Sequence, residues 1–170
     1  MRRRLRRCTN SVSATFQWTD LGWGDQFIPV PPNTRHFETN VLVTCCGTPF
    51  EVQIELGLRS ASGQAYALFR SIDPATSLPP AVDIGMLPPE DGTGRGRGHV
   101  SYTVNAKAGL PTGREIRNVA LIEFDRQPAI ATNQRDPHNP GAGTDPALEC
   151  LNTIDASAPV SQVLPLPPQV

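Results

Sequence analysis

Residues 50–59 read FEVQIELGLR, and Phe50, Val52, Ile54, Leu56 and Leu58 occupy every second position, with Glu51, Gln53, Glu55 and Arg59 among the positions between and after them. Successive side chains of an extended chain point to opposite faces, so this spacing gathers the apolar set on one side of a strand. A helix would scatter the same residues around its circumference. The period of two recurs at Phe37, Thr39, Val41 and Val43, with Glu38 and Asn40 opposite, and at Val100, Tyr102 and Val104 against Ser101, Thr103 and Asn105. In the run from Ile116 to Phe124, Val119 and Leu121 make the second face apolar as well, which predicts a strand covered on both sides. Shorter strands are expected at 15–19, 27–30 and 65–71.

Turn signals separate these runs: PVPPNT, CCGTP, RSASGQ, IDPATSLPP, PPEDGTGRGRG and AGLPTG. Proline pre-sets φ, glycine supplies positive φ, and Asp or Ser side chains cap the turn. The 18 prolines and 14 glycines in 170 residues exceed the usual share, yet fall short of a disordered composition. Short strands between near-regular turns predict an all-β, antiparallel β-sandwich rather than a βαβ fold. The one helical hint is about a turn at DPALECL, residues 145–151. The expected organisation is a basic, disordered N-terminus at 1–12, a sandwich domain at 13–156 and a Pro-rich linker at 157–170.

The net charge of −1 conceals an asymmetry, because five of the fifteen basic residues sit in MRRRLRR and Lys107 is the only lysine. That cluster suits nucleic acid or anionic lipid, but no basic stripe recurs along the chain, so a solvated end is the expected reading and no nucleic-acid partner is expected. No apolar run is long enough to span a membrane, and CTNSVSATFQW follows the arginines where a signal peptide would carry an apolar segment. Cys45 and Cys46 are adjacent and face opposite sides of a strand, which disfavours a shared metal. A bridge from one of them to Cys8 or Cys150 and a set of unbridged thiols both stay open.

Three stretches, FRSIDPATSLPP…LPPEDGTGRGRGHVSYTV, KAGLPTGREIRNVALIEFD and LNTIDASAPVSQV, carry a resemblance over about residues 15–165. The chain resembles a bacterial domain of unknown function that recurs in very large secreted or surface proteins. The resemblance implies an immunoglobulin-like sandwich set beside fibronectin-like, cadherin-like or calcium-binding repeat modules, an extracellular or cell-surface location, and no catalytic set to carry over. Two departures stand out. MRRRLRRCTN replaces further N-terminal strands, so the sandwich is expected to lack one or two strands and expose a sheet edge. The stretch IATNQRDPHNPGAGTDPALECLNTID is long and has Ala131 where the family places Asp.

Candidate sites are few. Asp136, Asn139 and Asp145 in DPHNPGAGTD offer oxygens to calcium, but the spacing matches no EF-hand and Asp-Pro and Asn-Pro are ordinary turn initiators. GTGRGRG fails both the dinucleotide fingerprint and the P-loop pattern and is expected to be a mobile turn. Trp23, with Asp91 and His138 in nearby loops, is the candidate ligand set. An exposed Trp23 would favour carbohydrate stacking and a buried one core packing. A hydrolase would need His99 or His138 gathered with a carboxylate and a serine. The residues favour a non-catalytic structural or adhesion module with no cofactor, and the resemblance implies neighbouring domains of a longer chain as its partners. The alternative is a module binding extracellular protein or glycan.

Overall fold

The computed structural model describes residues 12–45, 47–125 and 127–158, with side chains described from Phe16 onward. Among the described residues ten strands run in chain order: β1 (Val12–Trp23), β2 (Gln26–Pro29), β3 (Phe37–Cys45), β4 (Thr48–Arg59), β5 (Gln64–Ile72), β6 (Gly98–Ala106), β7 (Glu115–Asn118), β8 (Leu121–Ile122), β9 (Ile130–Ala131) and β10 (Cys150–Thr153). Every pairing is antiparallel. The expected all-β architecture is present. The basic segment, and with it the question of strands ahead of β1, lies outside the described residues apart from Val12, and so does the tail beyond residue 158.

Two three-stranded sheets, in the orders β2-β1-β6 and β3-β4-β5, turn their apolar faces to one core. From the first come Phe16, Trp18, Leu21 and Trp23, and from the second Phe50, Val52, Ile54, Leu56, Ala65, Ala67 and Phe69. Trp23 meets Phe69 edge-on across the two sheets, at 6.2 Å between ring centroids. Burying each large apolar side chain contributes about 1.5–3 kcal/mol, so the alternation read from the sequence is the principal stabilising pattern. An immunoglobulin domain interleaves its strands between sheets through Greek-key crossings. Here β3, β4 and β5 form a meander within one sheet and β6 returns beside β1, so the strand order differs from the immunoglobulin order.

Local chemistry sets the hairpins. Gly24, at φ 52, opens the two-residue loop between Trp23 and Gln26, the Gly-first pattern of a type II′ turn. Gly47, at φ 81, precedes Thr48, which pairs with Cys45. The long connection from β5 to β6 places Met86 in the core, with Ile84 and Leu87 packed against it.

One expectation is corrected. The run Ile116–Phe124 is not a single doubly covered strand. Its first part, β7, pairs with β10, while β8 pairs with β9, each in a separate two-stranded ribbon, and the whole run is only half-buried. Its apolar side chains lie outside the sandwich core, and Asn118 reaches it only by donating to the Tyr102 hydroxyl at 3.0 Å. The helical hint at 145–151 resolves into one 3₁₀ turn, Pro146–Leu148, capped by the Asp145 carboxylate.

Candidate functional site

The outer face of the β3-β4-β5 sheet carries the densest group of chemically capable side chains. The β3–β4 register places Glu38 directly opposite Glu55. His36, in the bend just ahead of β3, sets its Nε2 3.0 Å from Glu38 Oε1. One ligand atom from each of His36, Glu38 and Glu55 lies within 4.8 Å of the others. The Tyr66 hydroxyl donates to Glu55 Oε1 at 2.8 Å, and this bond to a carboxylate, together with partial desolvation, raises the tyrosine pKa above its ordinary value. The Tyr66 ring occupies the space above Gly57, its cross-strand partner, where a Cβ would fall 2.4 Å from the ring. The Arg59 guanidinium lies 5.2 Å from the ring centroid and donates to Gln64 Oε1 at 3.1 Å. Glycine at 57 thus allows the ring to lie flat on the sheet with its hydroxyl aimed at Glu55.

A second group lies on the outer face of the other sheet. His99 Nε2 is 3.1 Å from Asp20 Oδ1, and the Ser101 hydroxyl also bonds Asp20. Desolvation pushes the Asp20 carboxyl up, but hydrogen bonds from Ser101, Thr19 and His99, with the His99 charge, outweigh it and hold its pKa below the ordinary Asp value. These are the three residue types of a hydrolytic triad, yet their order differs. The carboxylate stands between imidazole and hydroxyl, whereas a triad needs the imidazole bonded to the nucleophile.

The remaining candidates are engaged locally. Glu90 Oε1 accepts from the Gly92 and Gly94 amides at 2.8 and 3.0 Å, and Asp91 accepts from the Thr93 amide and hydroxyl and pairs with Arg95 at 2.8 Å. The Gly94 amide foremost, then the Gly92 amide and the Arg97 charge, lowers the Glu90 pKa; the Thr93 hydroxyl foremost lowers that of Asp91. The GTGRGRG segment thus carries a hydrogen-bonded framework that the sequence alone did not reveal. In the other loop, Asp136 accepts from His138 N, Asn139 from Gly141 N and Asp145 from Ala147 N, each folding back on its own turn. Each calcium candidate thus caps its own turn, and His138 is exposed. Trp23 is 4% exposed and belongs to the core, which corrects its reading as a ligand-stacking residue. A groove of about 440 Å³ lies beside Gly113, Arg114, Glu115 and Arg117, and the Arg117 guanidinium is shared among Glu115, Glu149 and the Pro146 carbonyl.

Comparison with protein-family models, with curated proteins and with solved structures finds no match for this chain. Function must therefore be argued from the geometry. The sequence reading missed the His36–Glu38–Glu55–Tyr66 group, although a signal for half of it was present. The close pairing of Cys45 with Thr48 fixes the β3–β4 register and sets Glu38 against Glu55. The pairing of Asp20 with Ser101 and His99 needed a register between strands some 80 residues apart, which no turn specifies.

Proposed function

We propose that this chain is a non-catalytic structural or adhesion module, holding loops and neighbouring domains of a secreted or cell-surface protein at fixed separation. The observation that carries the reading is the single apolar core drawn from both sheets, set against loops whose carboxylates bind their own backbone. Such a build favours shape over turnover, since a working nucleophile or general base needs a partner aimed at substrate and a pocket to exclude water. The extracellular setting and the neighbouring modules rest on the resemblance described above. Among the described residues no helix is long and apolar enough to cross a membrane. The alternative, glycan recognition through Trp23, loses its aromatic surface to the core.

Stretching a single molecule between handles tests the reading. A spacer should resist as one unit and release the segment from Val12 to Ala106 in one step, with a gain of about 300 Å in contour length. Gradual extension without a force peak would contradict a load-holding role. So would hydrolysis of a simple activated ester that is lost in His99→Ala.

A further inference from the structure

We propose that His36, Glu38 and Glu55 form a surface site for a divalent transition-metal ion of the zinc class. The argument starts from the register. Glu38 and Glu55 are direct cross-strand partners, and like charges placed opposite each other destabilise an antiparallel pair. The Glu55 carboxylate takes the Tyr66 hydroxyl, and Arg59 is engaged with Gln64 and the Tyr66 ring. The His36 imidazole bonds Glu38 beside that pair.

The same three groups form a ligand set. An imidazole nitrogen and two carboxylate oxygens within 4.8 Å of one another need only small side-chain rotations to reach the 2.0–2.2 Å bond lengths typical of zinc. The nitrogen selects against calcium and magnesium, which take oxygen ligands, and favours zinc and its neighbours in the divalent series. Tyr66 does what an outer-sphere partner does at such sites, holding one oxygen of a ligating carboxylate by a hydrogen bond from below. With three protein ligands on an open sheet face, the remaining coordination position belongs to water. Binding would replace a repulsive pair by a cross-link between β3 and β4, fixing the entry of β3 where the chain leaves the 30–36 loop.

The site lies away from the core and away from the capped loops, so it adds to the structural-module reading without depending on it. Zinc chloride titrated into the purified chain at neutral pH, followed by thermal unfolding and by amide NMR shifts, tests it. At about tenfold the dissociation constant zinc should raise the midpoint by roughly 3–6 °C. Amide shifts should centre on His36, Glu38, Glu55 and Tyr66. His36→Ala and Glu55→Gln, both outside the core, should fold normally and lose the response, and calcium should not reproduce it. No zinc response would overturn the proposal. A response that survives His36→Ala, or that maps to the cysteines or the Asp20–His99 pair, would also overturn it, as would an equal response to calcium.

Discussion

Asp20 carries the clearest electrostatic signature among the residues that face solvent on the β2-β1-β6 sheet. Its carboxyl titrates below the ordinary value because Ser101, Thr19 and His99 bond the charged form. A group whose folded pKa is depressed contributes stability above its unfolded pKa, near 4, and loses it as pH falls through the folded value. Asp20→Asn should therefore lower unfolding stability at pH 7 by about 0.2–1 kcal/mol, the scale of a half-exposed ion pair. The deficit should shrink at about pH 3. Denaturant unfolding of both proteins at the two pH values measures it, and a deficit that stays constant or grows on acidification would show that the carboxyl is not held this way. Gly22 belongs to the same corner. A Cβ there would meet the Gln26 carbonyl at 2.5 Å and the His99 ring at 2.8 Å, so glycine is what lets the imidazole cross to Asp20.

At the scale of the element, β1 explains what the sequence reading could and could not reach. Strands β3, β4 and β6 were legible from the period-two spacing of Phe37, Val41 and Val43, of Phe50 to Leu58, and of Val100, Tyr102 and Val104. In TFQWTDLGW the period breaks: Phe16 and Trp18 are even-numbered, Leu21 and Trp23 odd, and all four are buried. A bulge reconciles them. Trp18 pairs with Tyr102 and Asp20 with Ser101, leaving Thr19 as the extra residue that restores the inward face. A search for strict alternation therefore ends the strand at Thr19, although it continues to Trp23. Deleting Thr19 should leave Phe16, Trp18, Leu21 and Trp23 facing inward and the protein folded, with the loss of the bond that the Val30 amide makes to its carbonyl. Deleting Gln53 from the unbulged β4 should turn half of that strand's apolar set to solvent and abolish folding. Circular dichroism and thermal melts of the two deletions distinguish these outcomes, and equal damage from both would contradict the bulge assignment. The run Ile116–Phe124 misled for the opposite reason. Its two-faced apolarity serves two short ribbons with different partners, and composition alone cannot tell these from one buried strand.

Across the whole molecule the distribution of burial is uneven. Among the described residues all thirteen buried hydrophobic residues lie between Phe16 and Met86, and from Lys107 to Ser157 only Asn133 is buried, donating to Glu149 at 3.1 Å. Two-stranded ribbons are marginal without a packed face, so β7–β10 depend on polar staples, chiefly Arg117 with Glu115, Glu149 and the Pro146 carbonyl. Such a region opens at lower free energy than the core beside it. The account's central claim is that the two three-stranded sheets form one cooperative, shape-holding unit with the β7–β10 region attached to it. Native-state amide hydrogen exchange tests this most directly. The slowest amides should lie in β1, β4, β5 and β6 and share a single opening free energy, while those of β7–β10 exchange faster through a separate opening. Different opening energies for the two three-stranded sheets, or β7–β10 protected to the same degree as β4, would contradict it.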